Sequence, residues 1–480
     1  MNKQALILGL LIMSLSGCMN IPEANRASLD NISNISTETE SKNLVFTKDK
    51  WWLSFNDPTL DKLIEKALEN NKQLKIAKLN IEKSSNYIDL AKSKYGPNLN
   101  FQGSYQRERL DLGERITSGG KKIINLYDLQ LNGSYNLDFF GKISSLVNEQ
   151  KYQTEALKLY SNFVELNISN QVANLYGYWT YLQLEKQNLL ERENVLRQLE
   201  DMEKKNIAYG ASTIDQLLNL QEAIRQNEIL IKNNSLNETL TINNLKILAG
   251  MKADDTIENL LISKSTSINK NLFKQIFIPN EINSDIVKNR PDVQYYLFLI
   301  KGQEENLKSL KADFYPQFSL NGSYGYTNFK TSDLFTPNSL FAGIGPSLYF
   351  PIFNRGQIKT NYKIGGVDLN IFIENYNDNL LTAFKSVNDN LSQTKTAVNN
   401  LELIKTNFEA SSELLNRNEK RYSLGSLSES SFLQEKYNWL QDSLSVTQQN
   451  YSLYNAQLNL INSIGGIFSP TTSGGKYGNN

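Results

Sequence analysis

The chain writes one strand-like stretch twice. YGPNLNFQGSY, from Tyr95 to Tyr105, returns as FYPQFSLNGSY, from Phe314 to Tyr324. Pro97 and Pro316 are 219 residues apart, as are Gly103 and Gly322. Gly141, Gly210 and Gly250 return as Gly356, Gly425 and Gly465, each 215 residues later. Landmarks at two such close offsets describe two copies of one unit, with a change of loop length inside it, where length changes are tolerated. Two copies are too few for a solenoid. The fold must be built from a pair.

Each copy has the same order. A helical stretch comes first: Asp57-Pro58 reads as an N-cap with proline at the first helical position, opening a helix to about Lys94. Its counterpart covers about Ser284 to Asp313. Two strands follow. Leu99, Phe101, Gly103 and Tyr105 alternate with Asn100, Gln102 and Ser104, and Phe318, Leu320, Gly322, Tyr324 and Tyr326 repeat the period. In the return strand Tyr127, Leu129, Leu131, Gly133, Tyr135, Leu137 and Phe139 alternate with Asp128, Gln130, Asn132, Ser134, Asn136 and Asp138. A fourth strand, about Phe341 to Phe353, carries Pro346 and Pro351. Proline-free stretches then run from Lys142 to Tyr209 and from Gln357 to Leu424, 68 residues each. As continuous helix each would be about 100 Å long. Gly210 and Gly425 break them, and a second helix returns. In the last one Leu433, Tyr437, Leu440, Leu444, Tyr451, Tyr454, Leu458 and Ile461 form a heptad seam, read as packing between paired helices.

The amino terminus carries an address. MNKQALILGLLIMSLSGCMN has Lys3, an apolar run from Ala5 to Met13 and small residues before Cys18, the layout of a secretory signal over residues 1–17. Leu15-Ser16-Gly17-Cys18 resembles the bacterial lipobox, in which the cysteine is acylated; the alternative is an ordinary signal with a stray cysteine. Met19, where many inner-membrane lipoproteins have aspartate, implies sorting to the outer membrane. Elsewhere no segment reaches the length of a membrane helix.

Composition removes most chemistry. Basic and acidic residues balance at 50 each, so no broad basic face for nucleic acid is indicated. Histidine is absent, and with it the commonest general base and metal ligand. One cysteine makes neither a disulfide nor a thiolate zinc cluster. GERITSGGKK, from Gly113 to Lys122, invites a phosphate-loop reading. It fails, because Arg115 stands where glycine is needed and Lys122 where Ser or Thr is needed. It reads as a hairpin loop. An enzyme is not indicated, and no cofactor is expected beyond a covalent lipid on Cys18.

Four alternating strands suit an outer-membrane barrel, but four cannot close. An open edge in lipid strands backbone groups at several kilocalories per mole each, so closure requires several chains. A soluble sandwich is the alternative for such alternation.

WWLSFNDPTLDKLIEKALENN (Trp51 to Asn71), SYNLDFFGKISS (Ser134 to Ser145), RPDVQ (Arg290 to Gln294), FYPQFSLNGSYGY, GPSLYFPIFNRGQIKTN (Gly345 to Asn361) and RYSLG (Arg421 to Gly425) resemble the outer-membrane efflux protein family, from about Trp51 to Gly466. With the lipobox, the likeness is to the lipoprotein channels of tripartite multidrug efflux pumps. The resemblance implies a mainly α fold with a membrane β-barrel: a homotrimer with twelve strands in the outer membrane and a twelve-helix periplasmic tunnel. It implies a passive duct partnered with a periplasmic adaptor (membrane fusion) protein and an inner-membrane transporter of RND type. The expected organisation is a lipidated tether at 18–50, a first repeat at 51–250, an equatorial segment at 251–283, a second repeat at 284–466 and a flexible tail at 467–480. Within the repeats the β-hairpins fall at about 97–139 and 316–353, and the helical hairpins at about 142–249 and 357–464. Tyr209-Gly210-Ala211-Ser212-Thr213 and Leu424-Gly425-Ser426-Leu427-Ser428 become adaptor-contacting tips, although any helix hairpin would also turn on glycine. Family members close this end with acidic, arginine and tyrosine side chains. Asp215, Arg421, Tyr422 and Glu429 are the candidates, with solvated surface charge as the alternative. This chain lacks the aspartate that relatives often place just after the second turn. Two other classes stay open: a duct for type I protein secretion, and an adhesive coiled-coil surface protein.

Overall fold

A computed structural model describes residues 21–23, 26–30, 50–112, 120–252, 255–257, 261, 270–273, 284–351, 353 and 355–466. The expected signal at 1–17, Cys18, most of the expected tether, segment 113–119, much of 251–283 and the expected tail at 467–480 lie outside the described residues.

Among the described residues the α-helices and strands follow in order: α1 Pro58–Asn70, α2 Lys72–Ser93, β1 Asn98–Leu112, β2 Gly120–Leu137, α3 Lys142–Ala208, α4 Ile214–Leu248, α5 Ser284–Lys288, α6 Pro291–Ala312, β3 Gln317–Asn328, β4 Leu340–Tyr349, α7 Arg355–Ser423 and α8 Glu429–Ser463. The N-cap read at Asp57 is present: its carboxylate accepts from Thr59 N (2.9 Å) and Leu60 N (3.1 Å). Two expected helices are each broken in two. The first stops at Asn71, whose Oδ1 caps α2 by accepting from Gln73 N (2.9 Å) and Leu74 N (3.2 Å), while its Nδ2 donates to Leu248 O (2.9 Å). The other breaks before Pro291, which supplies no N–H to continue a helix.

The strands form one antiparallel sheet in the order β1-β2-β3-β4. Pairing runs from Asn98↔Ser134 to Leu112↔Gly120, from Tyr127↔Asn328 to Leu137↔Phe318, and from Gln317↔Tyr349 to Tyr326↔Leu340. No second sheet packs on it among the described residues.

The chain divides into two compact units. The first comprises Met1–Asp30, Asn80–Lys158 and Tyr295–Asn377, and holds the sheet. Its core has Ile300, Leu307, Leu369 and Ile373, with Ala27 packed against them. The backbone around Ala27 is strapped to α7, with Ala27 N donating to Asn370 Oδ1 and Asp30 N to Asn377 Oδ1, both at 2.9 Å. Arg26 pairs with Glu304 at 2.7 Å. The second unit comprises Asn31–Leu79, Leu159–Gln294 and Asp378–Asn480. Leu60, Leu63 and Ile64 of α1 are buried there, and Val195 and Leu199 of α3 cluster with Leu433 and Leu440 of α8. The seam read in α8 is thus on its inner side; Leu458 and Ile461 are buried too.

Candidate functional site

The sheet sorts its side chains by chemistry. The continuous register from β1 to β4 sets Leu99, Gly133, Gly322 and Ile344 in one row. The next rows on that face are Phe101, Leu131, Tyr324 and Ala342, then Gly103, Leu129, Tyr326 and Leu340. The opposite face carries Asn98, Ser134, Asn321 and Gly345, then Asn100, Asn132, Ser323 and Gly343. Strand periodicity therefore makes one apolar and one polar face across all four strands. The apolar face is uncovered in the chain, with Phe101 72% and Ile344 79% exposed. Aromatic pairs mark its ends: Tyr105 and Tyr127 lie 4.9 Å apart at one, Phe139 and Phe318 5.3 Å apart at the other. β1 and β4 are both edge strands, each with one side unpaired.

The helical turns are built alike. Gly210 has φ +71° and Gly425 φ +73°, and a Cβ at either would meet nothing within 4 Å. Glycine is needed there for its left-handed backbone, not for space. Gly210 N donates to Ile207 O (2.9 Å) and Ala211 N to Asn206 O (2.8 Å); Gly425 N donates to Tyr422 O (2.9 Å) and Ser426 N to Arg421 O (2.8 Å). Both are Schellman closures that satisfy the last helical carbonyls. Thr213 precedes α4 without a side-chain cap, whereas Ser428 caps α8 by accepting from Ser431 N at 3.2 Å. Tyr209 and Leu424, the residues before the two glycines, are 87% and 82% exposed.

The four gate candidates are not brought together. Arg421 donates weakly to Asn418 Oδ1 (3.4 Å), and Tyr422 stacks on Phe432, 5.2 Å between centroids and 1° between planes. Asp215 lies in the first turn of α4 and Glu429 opens α8, where acids suit the helix dipole. Among the described residues no hydrogen bond or ion pair links these four to one another. Sequence reading missed a buried ion pair, Arg290 with Asp292 at 2.8 Å, whose arginine also donates to Ser463 O at 2.5 Å. RPDVQ was visible as a motif, but its distant partner was not.

No helix among the described residues is long and apolar enough to cross a membrane. No cluster of metal-ligating side chains occurs among them either.

Comparison with known proteins agrees with this geometry. The probable efflux pump outer membrane protein TtgC of Pseudomonas putida is 25% identical over 483 residues, covering 97% of this chain and 96% of that protein. Toxin and drug export protein A of Aggregatibacter actinomycetemcomitans is 24% identical, covering 95% and 96%. The crystal structure of the Campylobacter jejuni CmeC outer membrane channel superposes with a TM-score of 0.75 at 24% identity, covering 95% of each chain. It shares the mostly helical fold with added strands. The family model for the outer membrane efflux protein matches residues 63–251 and 283–466. Those two spans make up well over half of the sequence, and the chain belongs to the outer membrane efflux protein family.

Proposed function

We propose that the protein is the outer-membrane channel of a tripartite efflux system, a passive exit duct for drugs or other small toxic compounds. The observation that carries this is the sheet: one apolar face, one polar face, neither covered, and two unpaired edges. An apolar face suits lipid and a polar face suits a water-filled lumen. Edges in lipid demand partners, so three copies close a twelve-stranded barrel, continued by the paired helices as a periplasmic tunnel. The repeated element order and the double family match support an internal duplication, with repeats at 51–250 and 284–466 and an equatorial segment at 251–283. Cys18 carries the lipid anchor, on the strength of its lipobox. The tips at 209–213 and 424–428 meet the adaptor, supported by their exposed Tyr209 and Leu424, and an RND-type transporter supplies the energy. Arg421, Tyr422, Glu429 and Asp215 line the closed end, where contacts between chains do what contacts within one chain do not. No step needs a catalyst or a cofactor.

A deletion strain with a plasmid complement tests this, scored for growth on dyes, detergents and antibiotics and for the proteins in the medium. Restored resistance with an unchanged secretome is expected. The name of the toxin and drug export relative favours a second reading, a duct for polypeptide export. Loss of one exported protein without new drug sensitivity would establish that reading instead. Absence of any pore in planar bilayers would return the chain to the adhesive class.

A further inference from the structure

The outward face changes character beyond its aromatic row. β1 and β2 stay in register without a bulge from Asn98↔Ser134 to Leu112↔Gly120, so residues two apart on β1 share a face throughout. Beyond Tyr105 that face carries Arg107 and then Arg109, both exposed. Opposite them stand Asn125 and Ile123. Asn125 is already engaged, its Oδ1 accepting from Tyr105 Oη at 3.0 Å. Glu108 falls between the arginines and therefore on the other face. Neither arginine makes an ion pair with a carboxylate among the described residues. Two residues further along β1, the backbone of Asp111 is in register with that of Lys121. On β3, Asn328 shares the row of Tyr127, and the exposed, extended Lys330 follows two residues on.

Depth decides what these cations meet. From Leu137 to Tyr127 is ten residues, about 33 Å of strand, or about 25 Å of height at a tilt near 40°. That equals the apolar band of an outer-membrane barrel, with Tyr105 and Tyr127 at its margin. Arg107 and Arg109 then stand about 5 and 10 Å above the margin. The headgroup layer on each side of a bilayer is about 5–8 Å deep, so Arg107 lies at headgroup height and Arg109 just above it, close enough for its long side chain to reach down into the layer. The loop end of β1 is remote in sequence from α2 and α3; with those helices in the periplasm, it faces the outer leaflet.

We infer that Arg107 and Arg109 form a docking surface for phosphate groups of an outer-leaflet glycolipid. This rests on the barrel reading above. Guanidinium forks fit phosphate oxygens two at a time, which lysine ammoniums do not. The β1 edge would thereby bring a bound lipid against the seam between neighbouring chains.

The test uses full-length protein in detergent, titrated with bisphosphorylated lipid A and with dephosphorylated lipid A and followed by native mass spectrometry. Wild-type protein should bind the phosphorylated form at least tenfold more tightly. Arg107→Gln with Arg109→Gln should lose that preference, Arg107→Lys with Arg109→Lys should keep part of it, and Glu108→Gln should keep all of it. Undiminished binding by the glutamine pair, or wild-type binding that ignores phosphorylation, overturns the inference. If the glutamine pair fails to assemble, the lysine pair and the dephosphorylated lipid decide. Planar-bilayer recordings on the same samples separate the two levels. Pores together with unaltered lipid binding sink the docking surface alone, whereas a wild-type protein without pores sinks the barrel reading.

Discussion

Gly177 sits inside α3, where a glycine costs about 1 kcal/mol against alanine. The reason for it is Tyr454 of α8: a Cβ at Gly177 would lie 2.1 Å from the tyrosine Cε1. Tyr454 is fully buried, and its hydroxyl donates to Ala173 O at 2.9 Å, so the ring has nowhere to move. Gly177→Ala should therefore destabilise the protein by about 2 kcal/mol despite its better helix propensity. Gly177→Ala with Tyr454→Leu should lose less than the two single changes together, read as a double-mutant cycle of thermal melts. The sequence showed Tyr454 as a seam residue; Gly177 gave no signal, because a lone helical glycine means nothing until the ring above it is placed. The same tyrosines predict an alkaline limit. Burial, then Tyr178, pushes Tyr451 up to about 12, and burial holds Tyr454 well above the ordinary value near 10. These phenols stay protonated in the fold after the unfolded chain has begun to lose its protons. Their contribution is complete below pH 10 and declines as pH rises toward 12, by up to about 1.4 kcal/mol per pH unit for each group. Melting temperature should fall across that window, with a shallower slope in Tyr451→Phe.

At the scale of elements, amide side chains hold the helices in register. Asn227 Nδ2 donates to Leu189 O (2.9 Å) and Asn234 Nδ2 to Leu182 O (3.0 Å), one heptad apart on α4 and on α3. Adding 215 to the second pair gives Gln449 and Ala397, and Gln449 Nε2 does donate to Ala397 O, at 3.2 Å. The offset read from the glycines thus carries an interhelical contact as well. On the other side of α3, Asn170 Nδ2 donates to Leu458 O (2.8 Å) and Asn188 Nδ2 to Leu440 O (2.9 Å). Apolar periodicity made the seam legible but hid these rungs, since a polar residue at a buried position lowers the periodic signal. The rungs are incomplete, because Asn227 and Asn234 each leave a buried Oδ1 without a hydrogen bond. Such groups give register at some cost in stability. Asn227→Leu with Asn234→Leu should melt no lower than the wild type yet lose uniqueness. Spin labels at Leu190 and Gln226, both exposed, should report one distance in the wild type and a second population, displaced by about one helical turn of 5.4 Å, in the variant. A single narrow distance in both would show that the apolar seam alone sets the register.

The whole molecule is where the sequence said most and a single chain says least. Alternation gave the strands, and counting them gave the expectation of partners, because the single chain leaves β1 and β4 each with one side unpaired. In the structure β1 and β4 stand at opposite edges, three strand spacings or about 14 Å apart. A thiol reagent of shorter reach therefore cannot join them within one chain. The only native cysteine is Cys18, so introduced thiols report almost alone. With cysteine fixed at Phe101 on β1, a second can be walked along the same face of β4 at Leu340, Ala342 and Ile344. In outer-membrane fractions one of these positions should give a covalent ladder ending at three chains, because each edge has a single partner and a closed ring of three has no fourth. A ladder that continues past three would mean an open array. Uncrosslinked chains at every position, in membrane-inserted protein, would mean that the edges are satisfied in some other way, and twelve strands would no longer follow from four.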